Sequence, residues 1–157
     1  MYFCRPKKTQ NYLEVKIETY KRIEWAEQFQ LNNLSIDKEH KTLVNIYNNL
    51  VDALEQKKPN TEIVTVLTEL TDYSLWHFKH EEEWMKQVHY PDFDAHQMEH
   101  KDFIYRIAMF NLSFDRTDET MIYDIISFLR EWIVHHLLVL DKKISTYILS
   151  AEYTDKE

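Results

Sequence analysis

Apolar and polar positions alternate along this chain with a helical period over four long stretches. From about Asp37 to Gln56, Leu43, Ile46, Tyr47, Leu50 and Leu54 fall at the three- and four-residue steps of one buried face. Ser35 or Asp37 is placed to cap its start. Lys57-Lys58-Pro59-Asn60 ends that helix, and a second is expected from about Thr61 to Val88, with Ile63, Leu67, Leu70, Tyr73, Leu75, Phe78 and Met85 among its inward positions. Tyr90-Pro91 breaks the pattern, since a helix seldom runs through a proline. A third helix is expected from about Phe93 to Phe114, carrying Phe103, Ile104, Ile107 and Phe110. After the polar connector Asp115-Arg116-Thr117-Asp118, a fourth is expected from about Glu119 to Leu149, lined by Ile122, Ile125, Ile126, Leu129, Trp132, Ile133, Leu137 and Leu140. Four such helices joined by short loops predict an all-α, up-down-up-down four-helix bundle.

The ends read differently. Residues 1–22 hold six Lys or Arg against two Glu, and their periodicity fits strand and helix equally. They are expected to form an N-terminal arm outside a bundle spanning residues 23–150, with residues 151–157 a frayed C-terminal tail. The lead-in over residues 23–36 is expected to be extended or irregular, packing Trp25 and Phe29 on the bundle.

Composition narrows the class. The chain has 157 residues, enough for a sizeable core, with no glycine and three prolines. That disfavours a β-sandwich, which needs turn glycines at regular spacing. The net charge of −8 argues against a nucleic-acid surface. A single cysteine, Cys4, cannot form an internal disulfide and fits a reducing compartment. No apolar run approaches the roughly 20 residues of a membrane span, and MYFCRPKKTQ lacks the apolar core of a secretory signal. The expectation is a soluble cytoplasmic protein.

The chemistry lies in the histidines. His77 and Glu81 share one helix face, as do His96 and His100. His40 lies three residues before Leu43, on the inward face of the first helix, and His136 lies inward on the fourth. Five buried imidazoles around one axis would leave several polar groups unpaired, at about 1–3 kcal/mol each, and metal coordination resolves this. Glu81 and Asp141 complete the set. Asp141 follows His136 by five residues, so on an ideal helix it is turned about 140° off that face and would have to reach across, which suits a bridging ligand. His80, His89 and His135 lie off these faces and are expected to be solvated or to support the ligands from outside. Glu82 and Glu83 are expected to face solvent. Seven ligands are too many for one four-coordinate zinc. They suit two metals sharing carboxylates; imidazole plus carboxylate fits iron, with manganese, cobalt or zinc as substitutes by affinity alone. The chain contains no Glu-x-x-His, the ligand pair of carboxylate-rich di-iron oxidases.

The blocks Ile36-Asp37-Lys38-Glu39-His40-Lys41-Thr42-Leu43, His77-Phe78-Lys79-His80-Glu81-Glu82, Tyr90-Pro91 with His96 and His100, and Trp132-Ile133-Val134-His135-His136 with Asp141 resemble the hemerythrin family in its bacterial form. Trp25 also fits the N-terminal tryptophan usual in the family, and the resemblance covers about residues 23 to 150. It implies a non-haem di-iron centre. His96, His100 and His136 would hold one iron and His40 and His77 the other, with Glu81, Asp141 and an oxo or hydroxo group as bridges. The second iron would keep an open position for dioxygen, within an oxygen pocket of Leu43, Phe78, Trp132, Ile133 and Leu137. The implied function is reversible dioxygen binding for storage, delivery or sensing, not enzymatic turnover. The alternative is redox chemistry or sensing at the same centre, acting on peroxide or nitric oxide. No acid–base residue stands in the apolar pocket, which favours binding over turnover.

Overall fold

The structure is a computed structural model that describes residues 21–113 and 119–154. Its long elements are α1 (Leu34–Glu55), α2 (Asn60–Gln87), α3 (Phe93–Ser113) and a fourth rod. The rod is built from α4 (Glu119–His135), a π-helical turn (His136–Leu140) and α5 (Asp141–Thr154). Helix α1 packs on α2, α2 on α3, α3 on α4, and α4 closes back on α1. Together they form the expected all-α four-helix bundle.

The helix ends explain how a chain without glycine makes its turns. Helix α1 starts earlier than expected. Its cap is neither Ser35 nor Asp37 but Asn33, whose side-chain oxygen accepts from the backbone N–H groups of Ser35 and Ile36 at 3.1 and 3.2 Å. The Asp37 carboxylate instead accepts from the Leu31 N–H at 2.7 Å, tying the lead-in to the bundle. Helix α1 closes with Lys58 N–H on the Ala53 carbonyl and Lys57 N–H on the Leu54 carbonyl, both at 2.9 Å. Helix α2 closes the same way, through Tyr90 on Met85 and His89 on Lys86. This double bond requires a left-handed residue at its corner, normally glycine. Here Lys57 and His89 take that place at φ 52° and 53°; Asn32, just before α1, is also left-handed at φ 62°. His89 is therefore accounted for by chain reversal.

The lead-in is mostly irregular, with a short 3₁₀ turn at Glu27–Phe29. Asn48 pins it by pairing with both the N–H and the carbonyl of Ile23, at 2.8 and 3.0 Å. Ser145 donates to the Leu31 carbonyl at 2.9 Å. Phe29 is buried and Trp25 is packed against the main core, as expected. The expected arm lies outside the described residues except for its last two. Of these, Lys21 offers its carbonyl to Tyr47 and Arg130, and Arg22 pairs with Asp52. The connector at residues 114–118 lies outside the described residues as well. Helix α5 runs to Thr154, into the stretch expected to fray.

The main core is a single cluster that includes Leu43, Tyr47, Leu50, Leu67, Leu70, Phe103, Ile107, Ile126, Leu129, Ile133 and Leu137. A smaller cluster of Met85, Tyr90 and Ile144 is separate from it. Leu75 was expected to face inward but stands 49% exposed, at the rim of the cleft between α2 and α3. No helix among the described residues is long and apolar enough to cross a membrane.

Candidate metal centre

Five elements each deliver part of one buried cluster: His40 from α1, His77 and Glu81 from α2, His96 and His100 from α3, His136 from the π turn and Asp141 from the start of α5. All seven predicted ligands are buried, the most accessible being His96 at 4%. Their donor atoms form two groups. Glu81, His96, His100 and His136 make one, and His40, His77 and Glu81 the other, with Glu81 common to both.

In the first group, His136 Nε2 lies 3.2 Å from His96 Nε2 and 3.1 Å from His100 Nε2. Ligands at right angles around an ion with bonds of about 2.1 Å stand about 3 Å apart, so this spacing suits neighbouring ligands of one cation. Glu81 Oε2 lies 3.2 Å from His100 Nε2, 3.6 Å from His136 Nε2 and 3.7 Å from His96 Nε2, and 3.9 Å from His77 Nε2 in the second group. Asp141 spans the two groups with its separate oxygens. Oδ1 is 3.0 Å from His136 Nε2 and 3.4 Å from His96 Nε2, while Oδ2 is 3.3 Å from His40 Nε2.

The π turn explains how Asp141 gets there. Its N–H bonds the His136 carbonyl, a step of five residues instead of four. That widened turn brings position i+5 back under position i. The rotation of about 140° expected on an ideal helix is thus absorbed by the backbone, and Asp141 does not have to reach across. A pattern of uninterrupted apolar residues, Leu137-Leu138-Val139-Leu140, gives no sign of this in sequence.

The polar atoms left over point to a cation. Among the described residues, buried side-chain N and O atoms without a hydrogen-bond partner are Trp25 Nε1 and eight atoms of His40, His77, Glu81, His136 and Asp141. Such groups are costly to bury unless something satisfies them. The charge balance agrees. Burial alone would raise the Glu81 carboxyl, but His100, His136 and His96 hold it well below the usual carboxylate range. Asp141 is likewise lowered: burial and the Glu81 charge act against this, and contacts with His136 and His96 outweigh them. Burial would lower His136, yet the charge and contact of Asp141, with those of Glu81, raise it to about 10. Burial pushes His40 down to about 4, only partly offset by Asp141. The shifts favour ionised carboxylates at Glu81 and Asp141 and the cationic form of His136, a positive charge that a bound cation would take over.

Two supporting residues were missed in the sequence. Glu39 sits between α1 and α2, with Oε2 2.9 Å from His77 Nδ1 and Oε1 3.0 Å from His80 Nδ1. Burial would raise its pKa, but these two histidines lower it. Glu82 is not the solvent-facing residue expected: its Oε1 lies 3.1 Å from His100 Nδ1, and Gln97 donates to its Oε2 at 2.8 Å. The helix period turned Glu82 away from the His77–Glu81 face correctly. It could not show that α3 packs on the side to which Glu82 turns. His80 is the half-exposed outer partner of Glu39, and His135 is exposed outside the cluster.

Aromatic faces hold two of the imidazoles. Phe78 stacks on His100 at 4.0 Å and 4°, and Trp132 on His136 at 4.1 Å and 15°. Leu43, Ile133 and Leu137 are fully buried in the same core cluster as Phe78, with Trp132 packed against it.

A sequence model of the Hemerythrin HHE cation binding domain matches residues 34–148. The chain belongs to the hemerythrin family. It is similar to the bacteriohemerythrin of Methylococcus capsulatus, 33% identical over 117 residues that cover 74% of this chain and 88% of the relative. It is 28% identical to the bacteriohemerythrin of Clostridium acetobutylicum over 123 residues, covering 76% and 95%. With that of Pseudomonas aeruginosa it shares 32% over 113 residues, covering 72% of each. The hemerythrin match takes in every residue of the buried cluster, from His40 to Asp141.

Proposed function

We propose that this hemerythrin-family chain binds dioxygen reversibly at a non-haem di-iron centre, for oxygen storage, delivery or sensing in the cytoplasm. The observation that carries the reading is the unequal pair of donor groups joined at Glu81: three histidines on one side, His40 and His77 on the other. A histidine-poor side with shared carboxylates leaves a coordination position free, which is what separates a reactive metal site from a structural one. Bound iron supplies that position and the electrons that dioxygen binding draws on.

The chain's own residues do the rest. His96, His100 and His136 would hold one cation and His40 and His77 the other, with Glu81 and Asp141 placed between the two groups. Glu39 and Glu82 accept from the Nδ1 atoms of His77 and His100, which fixes the tautomer and leaves Nε2 to face the cations. The Phe78 and Trp132 faces keep the His100 and His136 rings from turning. Leu43, Phe78, Trp132, Ile133 and Leu137 form the oxygen pocket and keep water and protons away from the open side. The Ser74 hydroxyl, one turn before His77 and Phe78, is donated to the Leu70 carbonyl at 2.7 Å and is not offered to the pocket.

Anaerobic loading with ferrous iron, followed by metal analysis, tests the assignment. Two irons per chain are expected, and His77→Ala should lose the iron of the two-histidine side first. Unchanged iron content in that variant would refute the ligand set.

A further inference from the structure

The ligands are at most 4% exposed, so no reductant can touch the centre directly. An oxygen-binding di-iron centre that has been oxidised must still recover its electrons. The structure offers a continuous route for them on the outer face of α2. Trp76 is 46% exposed, and its ring lies 4.3 Å from that of His80 and 5.3 Å from that of Tyr73. His80 Nδ1 meets Glu39 Oε1 at 3.0 Å, and Glu39 Oε2 meets His77 Nδ1 at 2.9 Å. The opposite nitrogen of His77 faces the second donor group. One ring contact and two hydrogen bonds thus join an exposed indole to a buried ligand. Electron tunnelling falls steeply with every gap between atoms, and this path contains none longer than a ring contact.

Trp132 stacks on the buried His136 at 4.1 Å but is less exposed than Trp76, and among the described residues the more exposed Tyr105 lacks such a connection. Tyr105, at 63% exposure, shares a cleft with His100, but among the described residues no hydrogen bond joins them. Glu82 reaches outward from His100 to Gln97, with no aromatic ring at the end.

We propose that Trp76 and His80 are the electron-entry point of this protein, passing electrons through Glu39 and His77, with a reduced flavin as the class of donor. The inference rests on the di-iron reading. A flavin suits the site because its planar ring can stack on an exposed indole. In each step a flavin hydroquinone gives up one electron and one proton. The proton goes to solvent, the flavin becomes the semiquinone, and the electron reduces one ferric ion to ferrous. Two such steps restore the diferrous centre. Trp76 and His80 act through His77 and are positioning residues in this scheme.

The test compares oxidised, iron-loaded wild type with Trp76→Leu, His80→Gln and the control Tyr105→Leu, each mixed anaerobically with photoreduced flavin mononucleotide. Reduction should slow at least tenfold in Trp76→Leu and in His80→Gln, with iron content and oxygen affinity unchanged in Trp76→Leu. Tyr105→Leu should behave as wild type. Rates within twofold of wild type in both route variants would overturn the proposal. A second readout needs no iron chemistry. In the zinc-loaded full chain labelled with ¹⁵N-tryptophan, flavin mononucleotide should shift the Trp76 indole signal more than those of Trp25, Trp84 and Trp132. An unshifted Trp76 signal would overturn the contact. Failure of the wild type to load two irons would instead defeat the di-iron reading, and the zinc-form titration separates the two results.

Discussion

Replacing Glu39 with alanine should weaken one side of the centre and spare the other. Glu39 is buried and holds the Nδ1 atoms of both His77 and His80, at 2.9 and 3.0 Å. Its loss leaves the His77 Nδ1, on a fully buried ring, without an acceptor, at a cost of about 1–3 kcal/mol. Loss of a carboxylate behind a metal-bound histidine independently implies about 10- to 100-fold in metal affinity, or about 1.4–2.8 kcal/mol. The two routes agree in size, so a drop of 10- to 100-fold is expected in the affinity of the His40–His77 side. Glu39→Gln keeps an acceptor for His77 and should lose less than Glu39→Ala. Glu82→Ala should show the mirror effect on the three-histidine side, because Glu82 holds His100. Stepwise chelator competition, following release of each cation, reads both sides. Equal weakening of both steps in Glu39→Ala, or none in either, would refute the assignment of Glu39 to His77.

Further outcomes follow from the same geometry. Leu137→Ala removes a fully buried side chain and should cost about 2–5 kcal/mol by chemical denaturation while keeping both cations, with faster autoxidation of the oxygenated form. The metal-free chain should be most stable near pH 6.5, as read by melting temperature. His40, held near 4 chiefly by burial, stays neutral in the fold while the unfolded chain protonates, so stability falls from pH 6.5 toward 4. His136, raised to about 10 by Asp141 and Glu81 against the effect of burial, contributes stability that is full below pH 6.5 and is lost as pH rises through about 10. Cation loading at pH 7 must displace that proton, and calorimetry in buffers of different ionisation enthalpy should show at least about one proton released per chain. Deleting Val139, exposed at 40% within the π turn, should convert the His136–Asp141 step from five residues to the ordinary four and retain both cations. Loss of the cation shared through Asp141 would contradict the role given to that turn.

The sequence carried the bundle because its apolar positions repeat at the helix period, and it carried the buried histidine–carboxylate cluster because five histidines at inward positions of four helices must converge on one axis. What it could not carry depends on backbone detail or on which helices touch. The π turn is hidden within a run of leucine and valine, so Asp141 read as misaligned. Glu39 and Glu82 are single acidic residues in a chain rich in them. Only the packing of α1 on α2 and of α2 on α3 distinguishes them from solvated neighbours such as Glu83. Asn33 outranked Ser35 and Asp37 as the cap of α1 because Asp37 is engaged with Leu31. Leu75 was read inward because α2 is long and its apolar residues spread over more than one face. It stands at the open rim of the cleft between α2 and α3, beside Ile104 and Tyr105, where the packing of the two helices leaves it half exposed.

The most direct measurement is the ultraviolet–visible spectrum of the anaerobically reduced, iron-loaded chain through repeated cycles of oxygen addition and removal. A charge-transfer band should appear with oxygen, disappear on degassing and return at nearly full height in the next cycle. Immediate and permanent conversion to the oxidised form, with no recoverable oxygenated state, would contradict reversible binding and turn the reading toward redox chemistry at the same residues.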